Sequence, residues 1–492
     1  MNTPDVQTSQ STVSTAAPLR RLGIGGLSAI VFSMMVGSGI FNIPQNIGSE
    51  AGLVPCLVAW IVTAVAMLSL LYTFRQLSTK RPELNAGIYQ YALAGFGNYA
   101  GFNMAWGYWL CVCFANIAYA VMLNDSFGAF IPVLLDHGWG LAIFGSVLIW
   151  FMYFLVSNGM KTAKQLNNIM TVFKLIPIVL IIVLLFIYCN MPILESNLSG
   201  AGAGTPFWSQ VRNSMMVTLW CFIGIEGAVM MSARAKRPKD VSRAGVLGFF
   251  SAWILYVGVS VLAFGILSRA GLSDLKDPSV AYLLRGVSGE WAYWFVIISV
   301  IISVLGSWVS WTLVCAQVPM EAAQAGILPS VFMKLNRHAM PAFGLRVSSI
   351  AMNIFLFIVI MSDDVYMAAL NITGMMILPC YLFSALYLFK LGLHKANGLR
   401  HTIPVALLCI LSCLWMLYSS GPGLMATSIF YVAGTFYYFK CGHEKNRYLG
   451  VRLPWSQSWR HHFTIPELWV FVILSLMALA SIILIATGAL TF

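Results

Sequence analysis

Long apolar segments separated by short polar loops follow one another along almost the whole chain. Each is close to the length of about 20 residues that an α-helix needs to cross a bilayer. Thirteen such segments lie near residues 22–47, 52–74, 98–124, 138–157, 168–190, 211–232, 245–268, 291–317, 345–362, 365–389, 403–419, 423–439 and 466–489. The pattern predicts an all-α polytopic membrane protein with about thirteen transmembrane helices. We expect the polar tail that precedes them to be disordered and cytoplasmic.

Two of these segments are interrupted in a way that ordinary transmembrane helices are not. Residues 36–41 read Val-Gly-Ser-Gly-Ile-Phe and precede Pro44, and residues 220–227 read Trp-Cys-Phe-Ile-Gly-Ile-Glu-Gly. A break at membrane depth frees backbone polar groups, which is tolerated only where protein buries them or where they line a wet cavity. Paired breaks at corresponding positions of two halves are the sequence signature of a secondary transporter with inverted repeats.

Composition excludes a soluble protein, and the distribution of charge predicts the orientation. The chain of 492 residues is 59% hydrophobic and only 9% charged. Its net charge of +12 could indicate a nucleic-acid partner, but 23 of its 28 basic residues would fall on one side of the membrane and four on the other. Because Lys and Arg resist translocation, the first side is cytoplasmic. We therefore expect no nucleic-acid partner, a cytoplasmic amino terminus and a periplasmic or extracellular carboxyl terminus.

The cysteines and the sequence motifs argue against disulfides, against direct use of ATP and against an enzyme. The ten cysteines lie almost wholly in apolar segments and form no CxxC pair, so we interpret them as buried apolar residues. The sequence contains no P-loop motif, which argues against direct use of ATP. A membrane-embedded enzyme is the least favoured class, because the spans carry no nucleophile–base set. Neither a metal nor a cofactor is expected.

A broken helix offers two kinds of free backbone group at one place. At the first break, the helix that starts near Ser38 presents N–H groups, and the helix before it ends in carbonyls near Met35. The second break, near Ile223, repeats the arrangement in the opposite direction. A zwitterion fits this pair, with a carboxylate on the N–H groups of Ser38 and Gly39 and an ammonium on the carbonyls of Met35, Trp220 and Ile223. The alternative is that Gly-Ser-Gly only allows close helix packing.

Few ionisable side chains lie within spans, where a charge costs about 3 kcal/mol, and two of them are candidates for a functional role. Glu226 in the second break is either a protonatable gate or a structural carboxylate that accepts from freed amides. Lys174 lies about six residues into the fifth span. It is either a fixed cation that bridges the broken first span to its neighbours or a side chain that extends to the interface.

Aromatic and amide side chains in mid-span are candidates for recognition of a substrate side chain. Trp220, Trp308 and Trp311 lie mid-span although tryptophan favours the interface, and an indole face can bind a cation. Core packing is the competing explanation for each of them. Asn116 either binds substrate or joins two helices through its amide.

Together these residues resemble the amino acid–polyamine–organocation superfamily, and within it the bacterial basic amino acid antiporters. The resemblance covers roughly residues 20–440. Its strongest parts are residues 37–41, residues 220–226, Arg-Pro-Glu at 81–83 with Gly-Ile-Tyr at 87–89, and Trp-Thr-Leu at 311–313. It implies a five-plus-five inverted-repeat fold whose first and sixth helices are broken.

The resemblance also implies roles in substrate binding. Ser38 and Gly39 would bind the substrate carboxylate, as their counterparts do in arginine exchangers. Trp220 would cover the bound substrate, and Trp311 would stack on its guanidinium. Asn116 matches an asparagine that contacts the end of the substrate side chain, which favours a binding role for it.

Roles in gating follow from the same resemblance. Glu226 matches a gating carboxylate, and Tyr108 matches a gating tyrosine beside it. Lys174 matches a lysine at the site that sodium fills in related transporters, so sodium dependence is not expected. Cys380 stands where another gating tyrosine would be expected, with Tyr381 next to it, and this puts the details of that gate in doubt.

The sequence thus predicts a tail over residues 1–19, a ten-helix transport core over 20–400 with repeats at about 22–190 and 211–390, and additional membrane helices over 401–492. The predicted function is exchange of a cationic amino acid, with arginine first, for a related amine such as ornithine across the bacterial inner membrane. The alternatives are a proton-coupled permease for neutral or other amino acids and an amino-acid-sensing receptor. The expected partners are a small amino acid, the lipid bilayer and, in a homodimer, a second copy of the chain.

Overall fold

A computed structural model describes residues 23–84, 87–135, 138–198, 205–227, 236–362, 364–394, 398–448 and 463–487. Within these ranges the side chains of residues 160–173, 238–239, 443 and 445–448 are not described. The predicted tail over residues 1–19 lies outside the described ranges, so the expectation of disorder stays a prediction.

The regular elements of the described ranges are all helical. They are α1 (Ile24–Met35), α2 (Gly39–Glu50), α3 (Leu53–Lys80), α4 (Tyr89–Phe96), α5 (Asn98–Gly128), α6 (Trp139–Ser157), α7 (Met160–Tyr188), α8 (Met191–Leu198), α9 (Phe207–Trp220), α10 (Pro238–Phe264), α11 (Arg269–Ser273), α12 (Ser279–Ser288), α13 (Glu290–Gln324), α14 (Ala342–Val359), α15 (Val365–Leu393), α16 (Ile403–Ser419), α17 (Gly423–Tyr448) and α18 (Ile465–Ala486). Short 3₁₀ turns at Pro132–Leu135, Ser330–Met333 and Arg400–Thr402 lie in the loops.

The number of spans agrees with the sequence pattern to within two. Nine described helices are long and apolar enough to cross a membrane, and the number rises to 11 if α1 with α2 and α7 with α8 each form one bent span. The sixth predicted segment contains α9, whose continuation past the second break is described only to residue 227. The twelfth is α17, which is 26 residues long but carries several tyrosines and a basic end. Each predicted segment therefore contains a helix.

The first predicted break is confirmed. Helix α1 ends at Met35, α2 begins at Gly39, and the two helices are bent by 47°. A further bend of 89° separates α7 from α8 at residues 189–190, and the hydropathy pattern did not predict it. The short helices α4, α11 and α12 lie between the predicted spans, and the sequence pattern does not predict them because helices of this length leave no hydropathy signal.

Helix α5 forms the centre of the bundle. Every residue from 101 to 126 is buried, so the helix has no polar face and no lipid-facing face. It packs against α13 and α15, while α1 packs on α10 and α9 on α3. Side chains of α5 reach both breaks, because Tyr119 lies beside Gly37 and Tyr108 donates to Glu226.

The last helix is attached to α5 through one carboxylate. Glu467 accepts hydrogen bonds of 2.9 Å from the backbone N–H and the hydroxyl of Thr464, which forms a capping box at the start of α18. Its other oxygen accepts a 2.9 Å hydrogen bond from the backbone N–H of Tyr99 in the first turn of α5. One buried side chain therefore caps two helices that are more than 360 residues apart in sequence.

We expect Glu467→Ala to lower the thermal stability of the purified protein in detergent. The change leaves N–H groups of two helix starts without an acceptor, and each lost cap costs about 1–2 kcal/mol. Glu467→Gln should give an intermediate midpoint, because its amide keeps one acceptor oxygen, which can serve either Thr464 or Tyr99 but not both. An unchanged melting temperature for the alanine variant would contradict the capping role.

Candidate functional site

A small cavity lies between the two breaks. Its walls come from the first break, from α5, from the second break and from α13, and are formed by Met34, Met35, Gly37, Ser38, Gly39, Ala115, Tyr119, Trp220, Ile223 and Trp311. The volume is about 10 Å³, which is room for about one water molecule. Side chains must therefore move before a molecule the size of an amino acid can bind.

Six of the seven predicted substrate-binding residues line this cavity, namely Met35, Ser38, Gly39, Trp220, Ile223 and Trp311. Sequence reasoning missed two residues of α5 that also line it, Ala115 and Tyr119. They are four positions apart and so share one helix face, which the neighbouring Asn116 does not share. A uniformly apolar helix gives no period from which that face could be identified.

Asn116 lies one residue away from the cavity wall. Its Nδ2 donates to the Cys315 Sγ of α13 at 3.2 Å, so its amide joins α5 to α13. Its Oδ1 is buried and has no hydrogen-bond partner among the described residues. Cys315 follows Trp311 by one helical turn, which places this free acceptor close to the wall that Trp311 forms.

The carbonyls at the end of α1 are occupied by two side chains. Lys174 Nζ donates to the carbonyls of Ser33 at 2.7 Å and Val36 at 2.9 Å, and to Ser307 Oγ at 3.4 Å. All three hydrogens of the ammonium group thus have acceptors, and its charge lies at the negative end of a helix dipole. The Tyr256 hydroxyl donates to the carbonyl of Met35 at 2.9 Å. That carbonyl, a predicted ammonium acceptor, keeps one lone pair for a ligand.

The second break is organised around a buried carboxylate. Glu226 accepts from the backbone N–H of Gly224 at 3.1 Å, from the Tyr381 hydroxyl at 2.8 Å and from the Tyr108 hydroxyl at 3.1 Å. Three donors around one carboxylate suit its ionised form, which can only accept. The carbonyl of Trp220, another predicted ammonium acceptor, already accepts from the N–H of Ile223 at 3.2 Å within the turn.

The tyrosine expected near Cys380 lies at the next position along the helix. Cys380 Sγ donates to the carbonyl of Met104 at 3.2 Å, whereas the Tyr381 hydroxyl contacts Glu226. One residue along an α-helix rotates a side chain by about 100°. The contacts of the fold therefore select Tyr381 as the residue that faces the second break together with Tyr108.

The two breaks also touch each other through their backbones. Gly224 has a φ of +111°, and a Cβ atom at that position would lie 2.9 Å from the carbonyl oxygen of Met34. Glycine is required here both for the backbone conformation and for the close approach.

The Arg-Pro-Glu motif lies in a different place and has a different role. Arg81, just after α3, donates to the carboxylate of Glu83 and to the hydroxyl of Tyr387 in α15. Its guanidinium holds the pKa of the Glu83 carboxyl below the usual range. Lys390 of α15 donates to the carbonyl of Gly95 at 2.6 Å. These contacts fasten α3, α4 and α15 to one another away from the cavity.

Comparison with known proteins gives matches along most of the chain. The profile of a family described as amino acid permease matches residues 22–440. The chain is 36% identical over 484 residues to an arginine/agmatine antiporter of Chlamydia pneumoniae, covering 95% of this chain and 98% of that protein. It is 36% identical over 425 residues to a putative arginine/ornithine antiporter of Escherichia coli K12, covering 84% and 91%. It is 37% identical over 433 residues to a putative amino-acid transporter of Clostridium perfringens, covering 83% and 89%.

We expect Gly224→Ala to destabilise the protein. An alanine at this φ costs about 1–3 kcal/mol, and its Cβ would also push the first break away from the second. Gly258→Ala is the matched control, since Gly258 lies inside α10 with open space around it, where alanine favours the helix. Thermal unfolding in detergent should show a lower midpoint for the first variant only. Equal midpoints for Gly224→Ala and the unmodified chain would contradict the close contact of the two breaks.

Proposed function

Because this chain belongs to the amino acid permease family of the amino acid–polyamine–organocation superfamily, we propose that it exchanges arginine for a related amine such as ornithine across the bacterial inner membrane. It is an amino acid antiporter with the five-plus-five inverted-repeat fold of that superfamily. The observation that carries the choice of substrate is the composition of the cavity wall, where two breaks, two tryptophans and one tyrosine meet without an acidic side chain among the described residues.

The first break supplies the binding site for the part that all amino acids share. The carboxylate lies on the N–H groups at the start of α2 near Ser38 and Gly39, where the helix dipole favours an anion. The ammonium group binds the remaining lone pairs of the carbonyls of Met35, Trp220 and Ile223.

The aromatic walls select the substrate side chain. Trp220 covers the ligand, and Trp311 stacks on its guanidinium, which is attracted to the indole face by about 0.5–2 kcal/mol. Asn116 contributes its unpartnered Oδ1 once the side chains around the cavity move. A cation held by aromatic faces without a buried carboxylate binds weakly enough to be released, which suits an exchanger.

Glu226, Tyr108 and Tyr381 form the gate on one side of the cavity, and Lys174 fixes the end of α1. Rocking the helices that carry the two breaks against the α5 framework exposes the cavity to one side at a time. The saturated hydrogen bonding of Lys174 and of Glu226 supports fixed charges at both positions. A proton-coupled permease that titrates either of them is therefore the less favoured alternative.

The proposed orientation has a cytoplasmic amino terminus and a periplasmic carboxyl terminus. It rests on the 23 basic residues that would lie on the cytoplasmic side, against four on the other. A reporter that is active only in the cytoplasm, fused after residue 448, would be silent if the chain were inserted the other way.

The expected homodimer stays a prediction.

Counterflow tests the exchange reaction directly. Purified protein in vesicles preloaded with ornithine should take up labelled arginine, and vesicles without internal substrate should take up little. Uptake driven by a pH gradient into empty vesicles would instead support the proton-coupled permease. Equal uptake with and without ornithine would contradict obligatory exchange.

Trp311→Leu should weaken the binding of arginine more than that of a neutral amino acid. Loss of a cation–π contact of about 0.5–2 kcal/mol corresponds to a rise in the half-saturation concentration of roughly 2- to 30-fold. Trp308→Leu is the control, because Trp308 is fully buried one turn earlier and does not line the cavity. If both ligands weaken equally in Trp311→Leu, its cation-binding role is wrong.

A further inference from the structure

A tyrosine from α15 contacts the first break at the proposed carboxylate site. Tyr366 is the second residue of α15, whose start is fixed by Asp364, the side chain of which accepts from the N–H of Met367 at 2.9 Å. The Tyr366 hydroxyl lies 3.1 Å from Ser38 Oγ, and both residues are buried. The two are 328 residues apart, so no local pattern in the sequence connects them.

Ser38 does not use its hydroxyl in the way that its position suggests. It is the N-cap residue of α2, where a serine side chain ordinarily accepts from an N–H group of the first turn. Here it makes no such bond and pairs with Tyr366 instead. The side chain that could have capped α2 thus leaves first-turn N–H groups available to another acceptor.

One of the two hydroxyl hydrogens of Ser38 and Tyr366 has no acceptor in their mutual hydrogen bond. Two hydroxyl groups carry two hydrogens, and their mutual hydrogen bond uses one of them. The described residues supply no acceptor for the other hydrogen of Ser38 and Tyr366. An O–H donor therefore lies beside the start of α2, where the helix dipole is positive, at the edge of the cavity that Ser38 lines. An anion with two oxygens satisfies both the O–H and the N–H donors.

We propose that the Tyr366 hydroxyl donates to the carboxylate of the bound amino acid, next to Ser38 and the N–H groups of α2. This inference rests on the proposed function and extends it. It makes Tyr366 a specificity-determining residue that separates amino acids from amines of the same side chain. It also gives the carboxylate a direct contact with α15, the helix that carries Tyr381 and its bond to Glu226.

The experiment compares ligands that differ only in the carboxylate. Binding of arginine, of its decarboxylated amine agmatine and of arginine amide is measured by thermal shift and by competition, for the unmodified chain and for Tyr366→Phe. Phenylalanine keeps the ring and removes only the hydroxyl. We expect the dissociation constant for arginine to rise about tenfold or more. The value for agmatine, which has no acceptor at this position, should stay within about twofold. The loss for arginine amide, whose carbonyl oxygen is a neutral acceptor, should be smaller than that for arginine.

Two further variants keep the result interpretable. Tyr293→Phe, whose hydroxyl lies 3.5 Å from the Tyr282 hydroxyl away from the cavity, should change no ligand. Ser38→Ala leaves the Tyr366 O–H as the donor, so it should keep most of the preference for arginine over agmatine. A loss of this preference as large as that expected for Tyr366→Phe would contradict the role of Tyr366, and this test does not depend on the stability of Tyr366→Phe. Unchanged arginine binding in Tyr366→Phe, or an equal loss for all three ligands, would overturn the assignment. Failure of the unmodified chain to bind arginine would instead contradict the proposed substrate. The comparison is then repeated with the amino acid that does bind and its own amine.

Discussion

The backbone groups freed at the two breaks must find partners without bulk water, and much of the surrounding structure meets this requirement. Lys174 from α7 and Tyr256 from α10 occupy carbonyls at the end of α1. Glu226 accepts the N–H of Gly224 within the second break. These contacts bring helices from distant parts of the chain to one place, and the cavity is the space that they leave.

The two ionisable groups have the signs that their surroundings require. Lys174 lies at a helix end rich in carbonyls, and Glu226 lies among three donors. A buried charge that has all its hydrogen bonds is tolerated, whereas removal of one partner leaves the other uncompensated. A pair of breaks can therefore stay dry and ordered while still presenting a few unused groups to a ligand.

Helix α15 connects the two breaks mechanically. Tyr366 contacts the first break and Tyr381 the second, and 15 residues separate them, which is about 22 Å along the axis. A ligand that draws Tyr366 towards the first break acts on the same helix that carries Tyr381 and its contact with Glu226. A helix with one contact in its first turn and another near its middle can couple occupation of the cavity to opening on one side.

Hydropathy and helix-breaking residues are local properties, so the amino-acid sequence was enough to predict the class of protein, the positions of the long helices and the first break. It also pointed to Ser38 between two glycines before Pro44, and to Trp220, Trp311, Lys174 and Glu226, since charges and mid-span tryptophans are rare in spans. Which side chains contact these residues depends on how the helices pack. Tyr119, Tyr256 and Tyr366 come from helices whose apolar residues follow no amphipathic pattern, and Cys380 and Tyr381 differ by a rotation of one residue. Such choices depend on contacts between residues hundreds of positions apart, which no local pattern encodes.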